Sequence, residues 1–224
     1  DNPRERGLPD FDDEIYLEKQ IENDPRSRLS LVLSNLILWS VALVYFCFVS
    51  VKFGCLVWIP SYLKEGYDIS VDRASTISAL VLIPGVFASP LAGFLSDQYF
   101  GGRRKPLILM LMFMLALATF LLSRNVSITL AIGLLTIVGL MIIMPDVLLA
   151  AYPSDILSRK LSATGMGFLT TFTSIAGIIT TPLSGKIIDL FDSYAAVFFS
   201  FAVAALAGAL LTLCIREKTI YQSK

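Results

Sequence analysis

The sequence predicts an all-α membrane protein built on six transmembrane helices. Of its 224 residues, 55% are hydrophobic and 16% charged, and the mean hydropathy is +0.73. A soluble domain of this length would need more polar surface to cover its core. Six apolar runs stand out, about Leu31–Ile59, Ser75–Leu95, Leu107–Leu122, Ile128–Ala151, Ala163–Leu183 and Tyr194–Ile215. Each is within or close to the roughly 17–25 residues a helix needs to cross a bilayer. Only Lys52 and Asp146 put full charges well inside these runs.

Residues 1–30 are of a different kind, a charged, proline-bearing linker with room for a short helix around Asp12–Ile21. The chain opens on Asp rather than Met, which reads as a piece of a longer protein. The first run carries Lys52 and is followed by a loop at Pro60–Ser70. The second, interrupted by Pro84-Gly85 and Pro90, leads into a loop at Ser96–Pro106. The third is the shortest and turns at Ser123–Ser127 into the fourth, which contains Pro145. A loop at Tyr152–Ser162 precedes the fifth, with Pro182 near its end. Gly185–Ser193 connects to the sixth, and residues 216–224 form a tail. Each proline removes a backbone hydrogen bond and can bend its helix. Loops this short make antiparallel neighbours. Small residues crowd the second and fifth runs, among them Gly85, Ala88, Gly93, Gly165, Gly167 and Ser174. They serve either close helix packing or a surface that slides.

With the amino end in the cytoplasm, Lys64, Arg73, Arg124 and Lys186 are the only Lys or Arg in outside loops. Apart from Lys52, the other thirteen of the 18 fall on the inside. The positive-inside rule therefore puts both ends in the cytoplasm. A net charge of zero gives no pointer to nucleic acid. The absence of histidine excludes Ser-His triads, His-ligated zinc and His proton relays. Cys47, Cys55 and Cys214 lie in apolar runs and read as small hydrophobic residues. No nucleophile–base pair, metal cluster or cofactor loop is visible, so neither an enzyme nor a bound metal or cofactor is expected. A threefold repeat of about 100 residues, as in mitochondrial-type carriers, does not fit in this length.

The most polar knot between spans is GFLSDQYFGGRRKP, Gly93 to Pro106. Asp97 ends the second apolar run, with Gly93 one helical turn before it on the same face. Gly101-Gly102 then reverses the chain ahead of Arg103 and Arg104. A carboxylate there can hold a cation of the loop or the positive end of a neighbouring helix. Gly93-x-x-x-Asp97 followed by Gly101-Gly102-Arg103-Arg104 resembles the loop signature of the major facilitator superfamily, and its closer form is similar to that of the organophosphate:phosphate antiporters. The Asp1-Asn-Pro to Pro9 segment resembles that family's central linker. Lys52 to Glu65 resembles the end of its seventh helix, and Asp155 to Phe168 the loop into its eleventh. The resemblance implies one carboxyl-terminal half of such a fold, with a missing amino-terminal six-helix half as partner and a bacterial inner membrane as location. It also implies that Gly93, Asp97, Gly102, Arg103 and Arg104 form a charged clasp that latches the cytoplasmic side.

Lys52 sits where a lipid-facing ammonium costs roughly 2.5–3.5 kcal/mol. Pro60 follows eight residues later, roughly 12 Å along a helix, too far for easy snorkelling. Lys52 therefore reads as facing a wet cavity with an anionic partner. In the family it resembles, the matching position is an arginine that meets substrate phosphate, which makes Lys52 a substrate-binding candidate. Tyr45 and Val49 precede it by seven and three positions on one stripe of the helix, and Tyr45 either offers a hydroxyl to the same cavity or is merely packed. Asp146, after Pro145 and about a turn and a half inside the cytoplasmic end, reads as paired with a basic loop residue, solvated at the mouth, or carrying a proton during cycling. Thr170, Thr171, Thr173 and Ser174 either line the path or bond back to their own helix.

The function this implies is secondary exchange of a phosphorylated small metabolite for inorganic phosphate by alternating access. A transporter-shaped sensor of sugar phosphate and a proton-coupled carrier of another organic anion stand as alternatives.

Overall fold

The computed structural model describes residues 25–124 and 126–215; the helix expected at Asp12–Ile21 and the tail 216–224 lie outside the described residues. Among the described residues, six stretches are long and apolar enough to cross a membrane. A short helix, α1 (Pro25–Leu33), leads into them.

The first span is α2 (Leu36–Tyr67), 32 residues long. The chain breaks before it because Asn35 caps it, its Oδ1 accepting from the Ile37 and Leu38 amides at 3.1 and 3.3 Å. The expected run from Leu31 is therefore split between two helices. The loop expected at Pro60–Ser70 is mostly helix. Pro60 lies inside α2 and forfeits one hydrogen bond, but the next turn buries Tyr62 and Leu63. Tyr62 OH donates to Leu122 O at 3.0 Å and Tyr67 OH to Val126 O at 2.9 Å, fixing that end of the helix.

The second span runs as α3 (Val71–Leu82), a 3₁₀ turn (Ile83–Phe87) and α4 (Ala88–Phe100). The turn tightens at Pro84, which lacks an amide hydrogen. The third span is α5 (Arg104–Leu122). It starts earlier than its apolar run, so 19 residues cross where hydropathy alone counted fewer. Between them Gly101 and Gly102 hold φ of 58° and 78°, left-handed values that disfavour any side chain, with open space around both.

The fourth span is also broken, into α6 (Ile128–Met141) and α7 (Met144–Ile156), with Pro145 in the first turn of α7. Its break lies beside that of the second span. A Cβ on Gly139 would collide with Val81 O, and one on Gly85 with the Ile143 side chain. The fifth span, α8 (Arg159–Phe191), continues through Pro182 and absorbs most of the loop expected at Gly185–Ser193. The sixth is α9 (Tyr194–Cys214).

Short loops set the direction of each helix but not its main neighbour. The closest packing joins α9 to α5, α2 to α8 and α9 to α2, so α2 is the hub. Glycines permit this: the Gly54 Cα faces the Phe201 ring, Gly208 faces Met112 and Cys47, and Gly177 faces Phe53. The second and fifth spans stand apart, with 22% and 17% of their apolar windows buried against 44–50% for the other four. Their small residues divide accordingly. Gly85, Ala88, Ala92, Gly165 and Ala176 pack inward, whereas Ser89, Gly93, Gly167 and Ser174 stay exposed.

Candidate functional site

Two helices build the site. Lys52 is sixteen residues from the start of α2 and fifteen from its end, roughly 24 Å from either. Tyr45, two turns earlier on the same stripe, points the same way, with buried Val49 between them. The facing helix is α7, whose first turn carries Asp146. Because α7 extends to Ile156, Asp146 lies ten residues from its end, deeper than the turn and a half that hydropathy indicated.

Asp146 receives both donors at once. Lys52 Nζ donates to Oδ2 at 2.6 Å and Tyr45 OH to Oδ1 at 2.9 Å. Asp146 therefore pairs with the ammonium of the first span and not with a loop cation. The arrangement is chemically complete in itself. The ion pair removes the penalty of a lone buried charge, and the tyrosine satisfies the carboxylate's second oxygen. The first turn of α7 adds the positive end of a helix dipole. The side chains remain 24% and 29% exposed for Lys52 and Asp146, so one side of the pair is open.

The charges of the Gly93–Pro106 loop take different surroundings. Arg104 forks onto Asp155 near the end of α7, Nε at 2.7 Å from Oδ2 and Nη2 at 3.1 Å from Oδ1. Its Nη1 reaches Leu148 O at 3.4 Å. Lys105 Nζ donates to the carbonyls of Leu213 and Ile215 at 2.9 and 2.6 Å, capping the end of α9. These two residues tie α5 to α7 and α9. Asp97 and Arg103 are exposed and form no ion pair among the described residues, and nothing lies within 4 Å of a Cβ on Gly93. Asp97 thus holds no cation of its own loop. Asp155 was not singled out by charge reasoning, because any inside loop is expected to be basic and its partner is 51 positions away.

The hydroxyls of α8 bond to their own helix: Thr170 to Met166 O, Thr171 to Gly167 O and Thr173 to Thr170 O, at 2.9, 3.1 and 2.9 Å. Thr170, Thr171 and Ser174 share one exposed stripe and make no hydrogen bond to Lys52, Tyr45 or Asp146.

Residues 17–223 match the family model described as Major Facilitator Superfamily. Among curated proteins, the chain is similar to a glycerol-3-phosphate transporter of Haemophilus influenzae, 26% identical over 80% of this chain and 43% of that protein. It is similar to a phosphoglycerate transporter protein of Salmonella typhimurium, 25% identical over 86% of this chain and 44% of that one. It also resembles the membrane sensor protein UhpC of Salmonella typhimurium, 22% identical over 95% and 50%. The chain spans about half the length of the curated relatives it matches. With six stretches able to cross a membrane and a family match over nearly all its residues, this chain belongs to the major facilitator superfamily.

Proposed function

We propose that this chain is the carboxyl-terminal half of a secondary transporter that exchanges a phosphorylated small metabolite for inorganic phosphate by alternating access. It is a carrier and not an enzyme. A six-helix amino-terminal half completes it, docking on the exposed faces of the second and fifth spans. The observation that carries this reading is the placement of Lys52 and Tyr45, two hydrogen-bond donors on one stripe of α2, the lysine partly open and the tyrosine buried beside it. An oxyanion needs such a cation and hydroxyl away from lipid. Similarity to transporters named for phosphorylated compounds supports phosphate chemistry for the solute. Thr170, Thr171 and Ser174, one exposed stripe of α8, are assigned to the solute's path. Gly93, Asp97, Gly102 and Arg103 act with the other half as the cytoplasmic latch, and Arg104 holds the loop in place from within. Both ends of the segment lie in the cytoplasm, and the membrane is a bacterial inner membrane.

Counterflow of radiolabelled phosphate against a panel of sugar phosphates, with the full-length protein in proteoliposomes, tests the reading. Stimulated efflux supports exchange. Likeness to a protein named as a membrane sensor favours a second reading, a receptor that binds the same solute class. Binding without flux would select it. Uptake driven by a proton gradient and indifferent to phosphate on the far side would instead select a proton-coupled anion carrier.

A further inference from the structure

The third and sixth spans, α5 and α9, carry neither the solute site nor the faces assigned to the other half. They pack closely on each other. The Phe120 and Phe199 rings stand 6.3 Å apart, and Gly208 faces the Met112 side chain, which makes the pair antiparallel. That register sets Leu117 level with Val203 and Met110 level with Leu210, and all four are exposed. Two apolar stripes thus run alongside one another down the pair. In a chain that crosses a membrane, such stripes meet acyl chains.

A polar feature closes one end of these stripes, opposite the end where Arg104 begins α5. There the turn after α5 and the start of α9 enclose a concavity of about 290 Å³, lined by Ser123, Arg124, Ala195, Ala196 and Phe199. Ser123 donates its hydroxyl to Phe120 O at 2.6 Å, so Arg124 is the side-chain donor this concavity offers. The guanidinium lies over the Phe120 ring, 4.8 Å from its centroid. Among the described residues it forms no ion pair, not even with Asp192, two residues ahead of α9. The ring holds the planar group by its face, which leaves the edge, where the N–H donors lie, for a ligand.

The lining selects that ligand. A guanidinium edge matches the paired free oxygens of a phosphodiester. A small hydrated anion would use the guanidinium and leave Ala195, Ala196 and Phe199 facing water. A phospholipid uses both parts, with its phosphate at Arg124 and its chains along the stripes that begin at Phe199, itself 51% exposed. The lining contains a cation and no carboxylate to receive a choline, so a net-negative headgroup is favoured over a zwitterionic one.

We propose that the concavity between the turn after α5 and the start of α9 binds the headgroup of an anionic phospholipid, its phosphate on Arg124 and its chains along the α5–α9 stripes. Bound there, the lipid bridges the turn to α9. The same turn is already hooked to α2 through Tyr62 and Tyr67, so the lipid strengthens that rim of the bundle.

The test titrates the full-length protein in detergent with short-chain phosphatidylglycerol, phosphatidylcholine of equal chain length, or inorganic phosphate. Native mass spectrometry counts the lipid retained, and thermal unfolding reads the stabilisation. Phosphatidylglycerol should bind the wild type about fivefold tighter than Arg124→Gln and raise its melting point more. Phosphatidylcholine should barely distinguish the two proteins. Arg124 is exposed, so the glutamine is tolerated, and any phosphate bound at Lys52 cancels between them. Ala196→Phe keeps the charge but fills the concavity, and it too should lose the lipid. Equal binding of phosphatidylglycerol by wild type and Arg124→Gln overturns the proposal, as does full binding by Ala196→Phe. So does a wild-type-to-variant difference as large for phosphatidylcholine, or for inorganic phosphate, which would mark a site for a soluble anion.

Discussion

Lys52 and Asp146 are 94 positions apart in the chain and meet at 2.6 Å, at the middle of one helix and in the first turn of another. Neither residue is tenable alone at that depth. Each makes the other possible, and the open side of the pair is what a solute could approach.

Replacing Lys52 with Ala in the full-length protein is expected to abolish anion binding. Losing one partner of a buried, hydrogen-bonded charge pair costs about 2–5 kcal/mol, roughly thirtyfold or more in affinity. Equilibrium binding of labelled phosphate reads this directly, and an unchanged dissociation constant rules out the lysine as the solute's anchor.

Asp97→Asn should slow turnover while leaving binding within a few-fold. Asp97 is exposed in this half and distant from Lys52, so its charge is available to the other half and not to the solute. Initial rates of exchange set against binding affinity make the comparison. A normal rate argues against a latch at this position.

Gly139→Ala should loosen the protein. Its Cβ would strike the backbone carbonyl of Val81, which cannot rotate away as a side chain can. Overpacking of this sort costs about 1–3 kcal/mol. Thermal unfolding in detergent is expected to shift downward, and a melting point equal to wild type would mean that the two broken spans do not meet this closely.

Gly102→Ala and Gly93→Ala form a contrasting pair. Gly102 has space around it but a φ of 78°, so the alanine is strained by about 1–2 kcal/mol wherever the other half sits. Gly93 is helical and faces open space in this half. An alanine there should leave this bundle's stability unchanged and impair transport only if a second bundle presses on that face. Stability and exchange rate, measured on both variants, separate conformational strain from docking.

The six crossings were legible because a helix in lipid must be apolar along its whole buried length, and that signal survives in a single sequence. Lys52 and Asp146 were legible as exceptions to it. That they find each other was not, since hydropathy carries no information about which helices touch. The ends of the spans were misplaced for a related reason. Apolar runs stop at Ile59 and Leu183, but α2 and α8 continue past Pro60 and Pro182 to Tyr67 and Phe191, because hydrogen bonding and packing at the polar rim sustain a helix that lipid no longer requires. The loop cations looked interchangeable. Only the fold separates Arg104, forked onto Asp155, and Lys105, capping α9, from exposed Arg103.

The tyrosine hydroxyls at the end of α2 restrict how its lysine can move. Beyond Pro60 the helix is hooked to the carbonyls of Leu122 and Val126 and shifts only with the hairpin joining the third and fourth spans. The segment bearing Lys52 is held elsewhere, through Tyr45 and Lys52 to Asp146 of α7, and the missing backbone bond at Pro60 lies between the two sets of moorings. The rim end of α2 and its lysine-bearing middle are thus anchored to different parts of the bundle, one to the turn after the third span and the other to the fourth span.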